Sequence, residues 1–263
     1  MARNISHLEA AERDPAKLRR TGLTIAVVMM LGGIIITLTY IMKQRADAKD
    51  GRPHVVQRLT EKFGGRDQNN KAFTTEQLAG KISLITPLAG SEKERMAESL
   101  RMMKAVAETF PDEENLRFVG ITVDPEQDGP KELEAMLDEL GVGNDKRWIF
   151  VQAEEKNARG YLRHKLRLET EERIPSVDQG WIKRFRSTIV FIDENLHVLE
   201  PQYDFNDALE IQEDARRMLK DDPKRAEKLD AKSQTDAFKR TEERFFRTLE
   251  DIREGNLKEG KEP

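Results

Sequence analysis

The chain has no cysteine in its 263 residues. That excludes disulfides, thiol catalysis, dithiol exchange, and zinc or iron–sulfur sites that need thiolates. It does not fix the compartment, because an exported protein can do without disulfides. Histidine is also scarce. His54, His164 and His197 are the three beyond the apolar segment described below, and they make no i,i+4 pair and no HExxH pattern. A surplus of positive charge is missing too. The 45 basic residues face 49 acidic ones, well mixed, for a net charge of -4, so nucleic acid is not an expected partner. Apolar residues make up 37% against 36% charged, so part of the chain is expected to lie outside a packed core.

One long uncharged run stands out. Residues 21–42, TGLTIAVVMMLGGIIITLTYIM, carry no charge. A helix of that length rises about 33 Å, enough for a hydrocarbon core of about 30 Å. A cleaved signal peptide has a shorter apolar region, about 7–15 residues, and the nearest cleavage candidate is the ADA at 46–48. The expectation is an uncleaved single-pass anchor. Lys17, Arg19 and Arg20 precede the run, and Lys43 and Arg45 follow it. The positive-inside rule therefore leans only slightly toward a cytoplasmic N-terminus, with the soluble domain on the non-cytoplasmic side.

The expected organisation is an N-terminal tail (1–20), the transmembrane helix (21–42), a linker (43–66), an α/β domain (67–220) and a charged amphipathic helical tail (221–263). In the domain, KISLIT (81–86), LRFVGITVD (116–124) and RWIFV (147–151) read as strands. Helices are expected over 91–110, 130–140, 154–168 and 206–220. Ser91 and Glu94 have capping-box spacing, Pro130 opens the second helix and Gly141 ends it. STIVFID (187–193) and HVLEPQY (197–203) flank the turn DEN as a hairpin. Strands separated by helices imply a largely parallel sheet covered on both faces, made mixed by the hairpin. That is the layout of a thioredoxin-like domain.

The stretch VGITVDPEQDGPKELEAMLDELG, 119–141, carries a resemblance. Val123, Asp124, Pro125, Glu126, Asp128 and Pro130 match a strand-to-helix motif of the Sco/SenC family. DQNNKAFTTEQLAGK and RSTIVFIDENLHVL look like that family's opening and its late hairpin. The resemblance implies a membrane-anchored thioredoxin-like domain that binds copper and helps assemble the copper centre of cytochrome oxidase. It also implies a Cys-x-x-x-Cys at the first strand-to-helix junction and a histidine before the late strand. Those places fall here near Glu92, Met96 and Phe185 (or Arg186 with a one-residue slip), so all three ligands are absent. Cu(I) prefers soft thiolates; glutamate is hard and methionine weaker. No metal site and no cofactor are therefore expected.

Other residues that could carry chemistry each have a plainer reading. Met96, Met102, Met103 and Met136 suit a thioether copper site, but methionine more often fills cores. Asp124, Glu126 and Asp128 suit a hard-metal loop, but Asp124 can end a strand and Asp128 can cap the helix opened by Pro130. The connection 166–187 gathers Trp181, Lys183, Arg184, Phe185 and Arg186 as candidate partner-binding residues. In the tail, Phe238, Thr241, Phe245, Leu249 and Ile252 form a narrow apolar stripe widened by Phe246. Its opposite face is close to charge-balanced, which favours docking on this domain or on a partner helix over a membrane surface. Phe238, Phe245 and Leu249 are candidate partner contacts on that ground.

The function expected is a non-enzymatic, redox-inactive, membrane-anchored assembly or binding factor with a protein partner at or in the membrane. One alternative is copper binding through Met, His or Glu ligands. Another is a peroxidase- or reductase-type enzyme, which the missing cysteine disfavours.

Overall fold

The computed structural model describes residues 23–39, 52–169, 174–176, 180–182 and 186–258, and the chain divides into two compact units, 1–51 and 52–263. In the first unit residues 23–39 form a helix, α1. Its apolar side chains are exposed, Leu23, Met29 and Ile36 all above two-thirds. Two threonine hydroxyls donate back to carbonyls within the helix, Thr37 to Gly33 (2.8 Å) and Thr39 to Ile35 (2.5 Å). No helix among the described residues is long and apolar enough to cross a membrane. The described part of α1 rises about 25 Å, and the ends of the uncharged run lie outside the described residues.

The second unit is built on an eight-stranded sheet. Its strands are β1 (His54–Arg58), β2 (Gly64–Asp67), β3 (Ala72–Thr74), β4 (Ile82–Leu88), β5 (Leu116–Thr122), β6 (Trp148–Gln152), β9 (Thr188–Ile192) and β10 (His197–Asp204). A separate hairpin joins β7 (Ile174–Ser176) to β8 (Gly180–Ile182). The sheet order is β1-β10-β9-β4-β5-β6-β2-β3. Only β4, β5 and β6 run parallel; the other pairings are antiparallel. The expectation of a largely parallel sheet is corrected here, because antiparallel strands extend it on both sides. All of β4 and β9 is buried, which suits central strands rich in Ile, Leu, Val and Phe.

The helices are α2 (Lys93–Thr109), α3 (Pro130–Leu140), α4 (Glu155–His164), α5 (Phe205–Asp221), α6 (Pro223–Lys228), α7 (Ala231–Gln234) and α8 (Ala237–Arg253). Pro130 opens α3 and Gly141 ends it in the left-handed conformation, φ 76°, as the sequence reading expects.

One boundary differs. Residues 54–58 and 64–66, read as linker, lie in sheet strands. β1 has only two adjacent valines and β2 reads Gly-Gly-Arg-Asp, so neither stands out as a strand beside Pro53. The tail, expected to dock on this domain or on a partner helix, packs onto the domain. Phe245, Leu249 and Ile252 of α8 join the main core, with the Phe245 ring 5.1 Å from Phe191, 5.3 Å from Tyr203 and 5.2 Å from Phe205. Tyr203 donates to the Arg244 carbonyl at 3.1 Å and lies 2.6 Å from the Thr248 hydroxyl. The residues around the junction between β4 and α2, which the resemblance makes the place of interest, all fall in this second unit.

Candidate functional site

The site is built on the carboxyl end of β4. The strand runs out at Leu88, and Gly90–Glu92 forms one tight 3-10 turn before α2 starts. The expected Ser91–Glu94 capping box is absent: the residue before α2 is Glu92, with no side-chain cap. The turn is instead held from outside. Asp128, 2% exposed, accepts from the Gly90 N–H with both carboxylate oxygens at 3.1 Å, and from the Thr122 hydroxyl at 2.5 Å. Asp128 therefore does not cap α3, whose cap position is Gly129. It bridges the end of β5 to the end of β4, a contact 38 residues apart in sequence and invisible to local spacing. Gly90 is needed there, since a Cβ on it would meet Asp128 Oδ1 at 2.6 Å.

Thr122 also accepts from the Asp124 N–H at 2.9 Å. The Asp124 carbonyl accepts from the Gln127 and Asp128 N–H groups, at 3.1 and 2.9 Å. The acidic motif is thus folded into the turn after β5. Glu126 is exposed, beside an open groove of about 610 Å³ shared with Arg66, Gln152 and Glu154. Among the described residues no group of three His, Cys, Asp or Glu could hold a metal ion.

The places of the expected copper ligands can be followed one by one. Met96 is buried, and its Sδ accepts from the Ala89 N–H at 3.1 Å. The sulfur is turned onto the backbone of the junction and serves as packing and cap. Glu92 bonds to the Arg95 guanidinium at 2.9 Å. Phe185 lies outside the described residues, as do Lys183 and Arg184. Arg186 is exposed and pairs with Glu169 at 3.1 Å. Trp181 sits in β8, in register with Pro175. A buried thioether engaged by an N–H, and a carboxylate engaged by arginine, do not make a donor set for Cu(I), which calls for soft, accessible ligands. The residues present do not fit the copper that the resemblance implies.

The methionines otherwise fill the core: Met102 and Met103 are fully buried, and Met136 nearly so. None of the three histidines is drawn to the junction. His54 pairs with Glu200 at 3.1 Å, and His197 Nδ1 lies 2.9 Å from Asp193 Oδ2 at the hairpin turn. The Gln57 amide lies 3.5 Å from the His164 carbonyl. Of the tail candidates, Phe245 and Leu249 are fully buried in this chain's own core, which corrects their reading as partner contacts. Phe238 packs against the same core, with Arg101 over its ring at 5.4 Å.

Beside the junction the Ser99 hydroxyl donates to the Ser187 carbonyl, and the Asn206 amide to the Arg95 carbonyl. These bonds draw the start of β9 and the start of α5 onto α2. They leave a cleft of about 190 Å³ with Arg95 and Arg186 facing Asp204, Asp207 and Glu210. Both arginines already have carboxylate partners, and Asp204 accepts from the Asp207 N–H at 3.0 Å. The cleft is polar and close to neutralised from within.

Sequence reading missed Arg147. It donates to Asp145, to the Phe110 carbonyl (2.5 Å) and to the Ala107 carbonyl (3.1 Å), so it caps the carboxyl end of α2. Burial pushes the Asp145 carboxyl up, but the Arg147 guanidinium and N–H together outweigh this and hold it below the usual range. The dipeptide around Lys146 gave no local signal for that role.

The fold and junction define a mixed α/β domain of thioredoxin-like type, anchored at a strand-to-helix turn that carries no thiol. Residues 52–144 match the family model SCO1/SenC. Among solved structures it is similar to copper-bound ScoI of Bradyrhizobium japonicum, at 21% identity over 55% of this chain and 88% of that one, TM-score 0.47. Copper-bound yeast Sco1 is 17% identical over 55% and 78%, TM-score 0.46. BsSco, described as one of the Sco family of cytochrome c oxidase assembly proteins, is 18% identical over 57% and 87%, TM-score 0.46. No curated protein matches the chain.

Proposed function

We propose that this is a single-pass membrane protein whose Sco/SenC-type domain acts by binding a protein partner at the membrane, without thiol, copper or enzymatic chemistry. Its role is that of an assembly factor in respiratory-complex or copper-centre biogenesis. The observation that carries the reading is the junction itself. Where the resemblance calls for thiolates there is a glycine turn tied to Asp128, and a methionine sulfur turned inward onto Ala89. Such a junction is held at both N–H groups and, among the described residues, presents no soft ligand at its surface, so what remains for it to offer is shape and hydrogen bonding. The uncharged run at 21–42 and the exposed apolar α1 support the anchor. A row of exposed Leu, Ile, Val and Met on one helix is costly in water and favourable in lipid.

A Cu(I) competition titration of the full chain in detergent, against a chelator of known affinity, tests this. The expected result is no tight stoichiometric binding, with Met96→Leu indistinguishable from the parent. One-to-one binding that outcompetes the chelator would overturn the reading.

A further inference from the structure

The corner where α5 passes into α6 and α7 has its apolar residues the wrong way round. Its buried seam is alanine: Ala215, Ala226 and Ala231 form a cluster of their own, with Met218 packed against it. Its leucines are outside. Leu219 at the end of α5 is 38% exposed, and Leu229 just after α6 is 47% exposed. A corner shaped by packing alone buries leucine before alanine, because the larger side chain removes more apolar surface from water. The charge around these leucines also departs from that of the whole chain. Residues 216–232 hold seven basic residues against four acidic ones (Asp221, Asp222, Glu227 and Asp230), a surplus of three in a chain of net charge -4. Arg217 is paired with Asp214, and Arg216 reaches the Thr235 carbonyl at 3.4 Å. Lys220, Lys224, Arg225, Lys228 and Lys232 are exposed and make no ion pair among the described residues.

We propose that this corner is a contact with an anionic lipid surface, in which Leu219 and Leu229 enter the headgroup layer and the lysines beside them meet phosphate. The inference rests on the membrane-anchored reading given above. Exposed leucine ringed by lysine suits that surface, since a lysine stem is apolar and its ammonium end reaches the headgroups. Two leucines alone insert weakly, and each basic residue near an anionic leaflet contributes about 1 kcal/mol. The surplus of positive charge is therefore what selects anionic lipid over neutral lipid. α8 offers no such surface, because its outer face is close to charge-balanced and its Phe245, Leu249 and Ile252 are taken up by the core. The base that carries the leucines is fixed. Asp222 caps α6 by accepting from the Arg225 N–H at 3.1 Å, and the Ser233 hydroxyl donates to the Asp230 carbonyl at 2.8 Å. Small side chains in the seam let the three helices approach closely, so the leucines are presented without further ordering.

The absence of cysteine supplies the test, since one introduced thiol takes a fluorescent label with no other to compete. Lys228→Cys places the label beside Leu229 and leaves both leucines in place. The full chain is reconstituted into phosphatidylcholine nanodiscs, with or without about one quarter phosphatidylglycerol, that carry a nitroxide-headgroup lipid as quencher. Glu134→Cys, on the exposed side of α3, gives the background. Quenching at 228 should be at least about twofold stronger in the anionic discs than in the neutral ones. It should fall to the neutral level when Leu219→Asn and Leu229→Asn are combined, and likewise when Lys220→Gln, Lys224→Gln and Lys232→Gln are combined. Quenching no stronger than background in anionic discs that hold the chain would overturn the proposal, and a corner kept for an acidic protein gives that result. Equal quenching in the two lipids, or quenching that survives either set of substitutions, would overturn it too. A chain that never enters the discs fails earlier, at the anchor, and takes this contact with it.

Discussion

Replacing Phe245 by alanine tests whether the C-terminal helix belongs to the fold. The ring is fully buried and lies within 5.1–5.3 Å, centroid to centroid, of Phe191, Tyr203 and Phe205, with Phe246 at 5.6 Å. Phe191 is a central residue of β9, so α8 reaches the middle of the sheet. Burying a phenylalanine and then deleting it costs about 3–5 kcal/mol, transfer and cavity terms together. The aromatic neighbours place Phe245 toward the upper end, since each edge-to-face partner adds about 0.5–1.5 kcal/mol beyond area. With a urea slope of about 2 kcal/mol/M, the midpoint should fall by roughly 1.5–2.5 M. Equilibrium urea unfolding of the full chain in mild detergent, followed by tryptophan fluorescence, measures it, because Trp148 is buried against Phe118 in the same core. Arg247→Ala on the exposed side of α8 is the control and should shift stability by no more than about 0.5 kcal/mol. A Phe245→Ala midpoint within about 0.5 M of the parent would refute the claim that this helix is part of the core. It would return α8 to the role of a free amphipathic segment.

Asp128→Ala leaves the Gly90 N–H and the Thr122 hydroxyl without that acceptor inside the fold, and should cost about 2–3 kcal/mol in urea unfolding. Hydrogen exchange at Gly90 should speed up in the same variant while Val190 in β9 stays protected; unchanged exchange at Gly90 would remove Asp128 from its role as the clamp of the junction. Burial raises the Tyr203 phenol above its ordinary value, against the smaller opposing effect of its bond to Thr248. A group whose folded pKa is raised contributes stability that is complete below the unfolded value of about 10 and is lost as pH rises beyond it. The parent should therefore lose stability above about pH 10 more steeply than Tyr203→Phe, and parallel curves would contradict that origin.

Much of the architecture was legible in the order of apolar runs. Buried central strands such as LRFVGIT are nearly continuous in apolar residues, and Pro130 and Gly141 mark the ends of α3 by backbone chemistry that acts locally. What escaped was set by distant contacts. β1 and β2 are short and do not alternate, and they take strand form against the ladders that β10, β6 and β3 offer them. Ser91 and Glu94 have the spacing of a capping box, but the Asp128 carboxylate takes the Gly90 N–H and fixes the turn one residue earlier. The tail stripe was visible as a stripe. Its partner was not, since an apolar face with period 3.6 looks the same whether it meets its own sheet or another protein.

The junction between β4 and α2 is braced although it carries no thiol. When a ligand-bearing junction loses its ligands and nothing replaces them, the turn has no reason to stay ordered, and a loop with unsatisfied N–H groups should drift. This junction has gone the other way. The Gly90 and Ala89 N–H groups are both bonded, one to a buried carboxylate from β5's end and one to a thioether from α2. Ser99 and Asn206 tie α2 to the chain on either side of β9 and β10. Holding Asp128 at 2% exposure is costly unless its bonds are made, so the clamp and the turn specify each other. A junction braced in this manner keeps its surface in one shape, and the partner binding proposed above would gain from that, since ordering a surface at the moment of binding costs affinity.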